Sequence, residues 1–451
     1  MNPVLLTDYG STFTKVVAVD IAKPQLLGFA SAYTTVETDV KEGLGYALVE
    51  LERQTGKVEY QKRLACSSAA GGLRMVASGL VPELTAKAAS LAAMGAGAKI
   101  VGLYSYELIE EDIEKIISKK PDIFLLTGGT DGGNKKCILH NAKMLADASV
   151  GFPIIVAGNR NASREVKEIL SNERIYICDN VMPAIDSLNI EPTRQMIREI
   201  FLDKIVHAKG LDNEVLMPTP AAVLAASELL AKDMGDLIVI DVGGATTDVY
   251  SIADGTPRGA GTLYKGLPEP RAKRTVEGDI GMRYSAGGIV EAAGLARIAE
   301  LAGLPEETVI SQLEHLRLHT GTLPETPEQK ALDFALAAMA IEIATIRHTG
   351  TLEELYTSSG RVYAQTGKDL TDVSTIVMTG GALLYSDRQA ELIKHALYNE
   401  SQPQSLRPKK AKLLIDKHYI LAAMGLLSEY KPEVAIKMMH SMFKEYRLWN
   451  W

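Results

Sequence analysis

Short apolar runs closed by glycine or a small polar residue alternate, through the first half of the chain, with stretches whose apolar positions recur every three or four residues. The runs predict strands at 3–8, 14–20, 25–33, 62–66, 99–103, 122–127, 153–157 and 174–178. The periodic stretches predict helices at 82–96, with Leu84, Ala88 and Leu91 on one face, and at 107–118, 135–147 and 162–170. Strands 3–8 and 14–20 share a Gly/Ser/Thr turn and so predict a hairpin, unlike a phosphate loop that opens a helix. After a break near 209–219, Pro218 and Pro220 start a helix of small residues suited to close helix approach. A second hairpin is expected from 237–241 and 247–252, with Ala253, Asp254 and Gly255 as its turn. Residues 262–370 read as mostly helical and charged, an inserted subdomain. A buried strand at 374–378, a strand at 411–415 and a small-residue helix around His418 to Leu427 complete the pattern. This is an α/β chain of two lobes: 1–215, to which 418–451 returns, and 216–417, which carries the 262–370 insertion. The repetition is architectural and has no short period.

At 451 residues the chain can bury the cores of two or three domains, and 46% hydrophobic with 23% charged content is that of a soluble globular protein. The balance of 48 basic against 56 acidic residues gives a net charge of −8, which disfavours nucleic acid or an anionic membrane as partner. The basic run from Leu406 to Lys412 has no interleaved aromatics and reads as a solvated loop. Cys66, Cys137 and Cys178 form no Cys-x-x-Cys pair, which argues against a zinc knuckle or redox dithiol and fits a reduced, cytoplasmic setting. The start at Met1-Asn2-Pro3, with no basic region before the first strand, reads as no signal-like leader, and no apolar run approaches the roughly 20 residues that span a bilayer, so a soluble protein is expected.

The candidate chemistry lies in a phrase that occurs twice: an apolar strand, an Asp, then glycines with hydroxyls. Its first copy ends Asp8, Tyr9, Gly10, Ser11, Thr12, Phe13, Thr14, Lys15; its second ends Asp241, Val242, Gly243, Gly244, Ala245, Thr246, Thr247, Asp248. Glycine lets backbone N–H groups approach phosphate oxygens, hydroxyls add donors, and Lys15 can neutralise charge or face solvent. Two such turns suggest two halves of a clamp for ATP. Asp8 and Asp241 are candidate Mg²⁺ ligands, since Mg²⁺ needs only one or two protein carboxylates beside phosphate and water. A lone Asp there could equally cap its own turn, and the matching pair favours the metal role. Ala245 carries a Cβ that hinders a left-handed backbone, which counts against phosphate contact through its amide. Thr379, Gly380, Gly381 and Ala382 offer bare backbone to an adenosine, and a rival turn, Thr127 to Asn134, carries four glycines with Asp131 and Asn134. Between Arg274 and Arg283, Glu277 or Asp279 could orient an attacking water, or simply complement a helix dipole. His315 and His319 have no evident third ligand and are expected to face solvent.

In this order, 8–15, 218–222, 241–248, 379–382 and 418–427 resemble the actin, sugar-kinase and DnaK-type ATPase superfamily over nearly the whole chain. The resemblance implies two actin-like, ribonuclease H-like lobes around a nucleotide cleft. More narrowly, 8–15, 127–134, 241–248 and 275–283 resemble the GlmL/MutL family, unrelated to the mismatch-repair protein of that name. That resemblance implies a chaperone ATPase that reactivates an adenosylcobalamin-dependent glutamate mutase or aminomutase by releasing damaged cobalamin, with the mutase subunits as partners. It leaves a homo-oligomer open. Three other readings are a small-molecule kinase, an actin- or FtsA-like scaffold, and an iron–sulfur activator of radical dehydratases, which the dispersed cysteines do not support.

Overall fold

A computed structural model describes residues 1–10, 12–34, 40–68, 73–185, 187–203, 215–259, 261–358, 360–384 and 386–446. Two compact units divide the chain: Met1–Ala225 with Gly266–Pro270 and Gly425–Val434, and Ala226–Lys265 with Arg271–Met424 and Ala435–Trp451.

The first unit opens on β1 (Pro3–Tyr9), β2 (Phe13–Asp20), β3 (Gln25–Tyr33) and β4 (Lys62–Ser67). The antiparallel hairpin of β1 and β2 pairs Asp8 with Lys15 and Tyr9 with Thr14, so the turn between them is the first Gly/Ser/Thr loop. With β10 (Val215–Pro218) the sheet order is β10-β4-β1-β2-β3, with β4 and β10 parallel to the strands beside them. Between β4 and β10 lies a second sheet, β5 (Arg74–Gly79), β6 (Lys99–Ser105), β7 (Ile123–Leu126), β8 (Ile154–Val156) and β9 (Ile175–Ile177). It is wholly parallel, in the order β6-β5-β7-β8-β9. Parallel sheets need both faces covered. Met75 and Ala77 face the helices Lys87–Gly95 and Glu191–Phe201 on one side, and Val76 and Phe124 face Lys136–Asp147 on the other. In the helix Leu421–Ser428 a Cβ on Gly425 would lie 1.8 Å from the carbonyl oxygen of Ala222, so glycine is what lets this helix meet the one opened by Thr219.

The second unit repeats the first order. β11 (Leu237–Val242), β12 (Thr247–Ile252), β14 (Ala272–Glu277), β17 (Thr375–Thr379), β18 (Lys412–Asp416) and β19 (Phe443–Tyr446) form a sheet in the order β14-β12-β11-β17-β18-β19. Three antiparallel strands continued by two parallel ones thus occur twice, the topology of the actin-like fold, and in the second sheet β19 adds an antiparallel edge strand beside β18. The β11–β12 hairpin turns at Gly243–Thr246, and residues 253–255 follow β12 and leave the sheet, which corrects the turn expected from sequence. The inserted stretch holds the helices Ala286–Ala293, Leu295–Ala302, Glu306–Leu318 and Pro327–His348. It is flanked by a small sheet of β13 (Thr262–Lys265), β15 (Thr351–Thr357) and β16 (Gly360–Thr366). The helix Pro327–His348 starts on a capping box, Thr326 with Gln329, and on Pro327 in its first turn. It is apolar around much of its circumference, because it forms the centre of the unit's core beneath Ile238, Ile240 and Val249.

Candidate functional site

Side chains alternate across a strand, so the register sorts the candidates of the first loop by face. Asp8, Lys15 and Cys66 share one face of the β2-β1-β4 sheet, and Thr14 lies on the other. The Asp8 carboxylate is buried and accepts from the Thr219 hydroxyl at 2.6 Å and from the Lys15 ammonium at 3.2 Å. Lys15 is therefore an ion-pair partner of Asp8 and not a solvent-facing residue. The Cys66 thiol lies 3.5 Å from Asp8, and burial, then the neighbouring carboxylate, pushes its pKa well up. Burial likewise raises Cys137 and Cys178 to about 11, so none of the three thiols is poised as a thiolate. Thr14 is fully buried, its hydroxyl 3.0 Å from that of Thr34, while the Thr12 carbonyl accepts from the Thr34 amide. A Cβ on Gly10 would lie 2.5 Å from the Phe13 carbonyl oxygen, which fixes glycine at the start of the turn. Ser11 lies outside the described residues.

In the second loop Asp241 pairs with Asp248 and Val242 with Thr247. Val242 and Val249 belong to the core, so Thr247 shares their face, and its hydroxyl is buried there. Asp241 is on the opposite face and accepts from the Tyr419 hydroxyl at 3.3 Å. Asp248 is fully engaged: Arg274 donates twice to one oxygen, at 2.9 and 2.6 Å, and the Thr246 hydroxyl donates to the other at 3.0 Å. The loop is closed by the Gly243 amide on the Thr246 carbonyl at 2.9 Å. Among the described residues the non-glycine positions with a left-handed backbone are Tyr106, Lys120, Ser149 and Tyr419, so the turn makes no such demand on Ala245.

The stretch Thr275–Arg283 is wound onto this loop. Met282 donates its amide to Gly243, Arg283 and Tyr284 donate theirs to Gly244, and the Ser285 hydroxyl donates to Ala245 at 2.8 Å. A Cβ on Gly281 would fall 2.4 Å from the Ala245 carbonyl carbon, so the approach requires glycine. Glu277 is paired with Arg347 at 2.7 Å, and Arg347 also holds Asp279 at 3.0 Å. Burial lifts the Glu277 carboxyl above its ordinary range against the pull of Arg347. Gly380, left-handed at φ 115°, ends β17 against Val242, and Gly381 and Ala382 begin the short helix Gly381–Leu384.

The loop Thr127–Asn134 closes β7 of the parallel sheet. The buried side chains of Asn159 and Asn180 hold it: the Asn159 amide donates to the carbonyls of Gly133 and Asn134, and Asn180 donates to Gly129 and Asp131. His315, in the last turn of the helix Glu306–Leu318, and His319, just past its end, have ring centroids 4.7 Å apart with the ring planes tilted by 44°, and both are exposed. Three residues escaped the sequence reading. In sequence Thr219 reads only as part of a helix start, and Tyr419 carries no signal, since its left-handed backbone (φ 52°) is invisible there. Asp416 did carry one: Leu414, Ile415, Asp416 repeats the phrase of an apolar strand ending in Asp. Its buried carboxylate accepts from Thr379 at 3.0 Å and from the Leu421 amide at 2.9 Å, and burial raises its pKa.

These features define an α/β protein with two actin-like sheets, each carrying an Asp at the end of its first strand before a glycine turn. The chain belongs to the MutL protein family, whose model matches residues 4–443. It is 47% identical to Protein MutL of Clostridium tetanomorphum over 455 residues, 97% of this chain and 98% of that protein. Similarity to solved structures is distant. Nucleotide-free acetone carboxylase matches 94% of this chain and 70% of its own at 13% identity and TM-score 0.41. Component A of (R)-2-hydroxyglutaryl-CoA dehydratase from Acidaminococcus fermentans matches 96% and 99% at 12% identity and TM-score 0.31. Among the described residues no helix is long and apolar enough to cross a membrane.

Proposed function

We propose that the chain is a Mg²⁺-dependent ATPase that acts as a chaperone on an adenosylcobalamin-dependent mutase of the glutamate mutase or aminomutase type. The observation that carries the reading is the same carboxylate position, Asp8 and Asp241, at the same strand of two sheets that share a five-strand order, each before a glycine turn. The family assignment supports the mutase as partner. The donor set suits Mg²⁺, a hard cation satisfied by few carboxylates, and Asp8 and Asp241 are its proposed protein ligands. The metal supplies neutralisation of the phosphate charge. Gly10, Thr12 and Lys15 from the first loop and Gly243, Gly244, Ala245 and Thr246 from the second are the proposed phosphate contacts, with Gly380, Gly381 and Ala382 beside the adenosine. Thr219 orients Asp8, and the Asp248–Arg274 pair orients Thr246. Glu277 is the proposed acceptor for the attacking water, a task of positioning more than of proton affinity.

Release of damaged cobalamin follows if the nucleotide states differ in affinity for the mutase, because a ligand that binds both states equally shifts nothing. The test uses mutase inactivated by a cobalamin that lacks its adenosyl group, incubated with this protein, intact cofactor, Mg²⁺ and ATP. Recovery of mutase activity that requires both ATP and the wild-type protein is expected. Recovery without ATP, or none, would contradict the proposal.

A further inference from the structure

Residues two apart on a strand share a face, and three successive positions on one face of β14 meet the last turn of the helix Pro327–His348. The Lys273 ammonium donates to the His348 carbonyl at 2.6 Å, the Thr275 hydroxyl lies 2.8 Å from the His348 ring, and Glu277 accepts from the Arg347 guanidinium at 2.7 Å. His348 is fully buried, and its other ring nitrogen reaches the Ser251 hydroxyl of β12 at 2.8 Å. The helix end is therefore pinned to two strands, and Arg347 reaches Glu277 from a fixed backbone.

Arg347 treats its two acids unequally. Its Nη1 donates to Oε2 of Glu277 and leaves Oε1 without a hydrogen-bond partner among the described residues, whereas both oxygens of Asp279 lie 3.0 Å from the same nitrogen. The Glu277 side chain is 13% exposed and that of Asp279 is 54% exposed. Burial favours the neutral acid at Glu277, and the charges of Asp279 and Asp248 push the same way. Arg347 is the cation that opposes them, while His348 is held neutral in its buried place against Thr275. Glu277 thus has one oxygen fixed and one to offer.

We propose that Arg347 is a positioning residue for ATP hydrolysis, holding Oε2 of Glu277 so that Oε1 accepts a hydrogen bond from the attacking water. The inference rests on the nucleotide reading above, in which Glu277 is that acceptor. In the step, the water oxygen bonds to the γ-phosphorus and the bond to the ADP oxygen breaks, its electron pair leaving with ADP. Both water protons end on the phosphate formed, so Glu277 orients the water and is not consumed. Without the guanidinium the carboxyl takes up a proton at higher pH, and the neutral acid no longer holds the water as a carboxylate does.

The test is ATP turnover of the full chain across a pH series, with ADP affinity by calorimetry, for wild type, Arg347→Met and Arg347→Lys. Arg347→Met is expected to lower kcat about tenfold near neutral pH and to move the acid limb of the profile up by about one pH unit, with KM and ADP affinity unchanged. Arg347→Lys keeps the charge and is expected to leave the acid limb in place. A wild-type kcat and acid limb in folded Arg347→Met overturn the proposal, as does a uniform fall in kcat accompanied by weaker ADP binding, the signature of a merely structural residue. Should Arg347→Met not fold, an acid limb displaced by about one pH unit in Arg347→Lys overturns it. Wild type without ATP turnover overturns the ATPase reading and this inference with it.

Discussion

At the scale of single residues, the site is set by how each carboxylate is partnered. Asp8 and Asp241 each accept a hydroxyl, from Thr219 and Tyr419 respectively, whereas Asp248 is committed to Arg274 and Thr246. Asp248 is thus a scaffold carboxylate. Breaking its buried pair by Arg274→Met should cost about 3–5 kcal/mol, since an uncompensated charge stays behind, and denaturant melts would measure it. Tyr419→Phe should leave stability near wild type and lower ATP turnover about fivefold, the worth of one hydrogen bond of ~1 kcal/mol to Asp241. The Asp residues were legible because an apolar run ending in Asp and glycine is a local pattern. Tyr419 was not, because its reach to Asp241 depends on a left-handed turn after β18.

At the scale of elements, periodicity predicts most strands of both actin-like sheets, while strands of the other two sheets are hidden where their composition misleads. β5, Arg74–Gly79, is half small residues, and its strand character comes from burial between β6 and β7. β15, Thr351–Thr357, contains Leu-Glu-Glu-Leu, a helix-favouring stretch, yet it pairs antiparallel with β16 along its whole length. Tertiary pairing outweighs the local preference there. The wholly parallel sheet was not recognised as a separate layer, because its strands look the same in sequence as those of the sheet into which it is inserted. Glycines also act on elements. Gly425→Ala would drive a Cβ into the Ala222 carbonyl and should destabilise the first unit by about 1–3 kcal/mol, seen as a lower denaturation midpoint with unchanged slope.

At the scale of the whole molecule, the repeated strand order accounts for the repeated phrase: each sheet's first hairpin carries one glycine loop. Stability should also depend on pH through the core of the second unit. His348 is fully buried, with Nδ1 2.8 Å from the Thr275 hydroxyl and Nε2 2.8 Å from that of Ser251. Burial, then the charges of Lys273 and Lys368, hold its pKa well below 6.5. The folded state thus keeps a neutral ring while the unfolded chain takes up a proton below about pH 6.5, so stability is lost as pH falls, by up to about 1.4 kcal/mol per pH unit from this group. Melting temperatures between pH 7.5 and 5.5 should fall, and His348→Gln should flatten that slope. The measurement that bears most directly on the account is ATP turnover with and without Mg²⁺, in the presence of the mutase, for wild type, Asp8→Asn and Asp241→Asn. Magnesium-dependent turnover in wild type, and its loss in each variant with melting behaviour preserved, is the predicted result. Full turnover in either folded variant, or none in wild type, would contradict it.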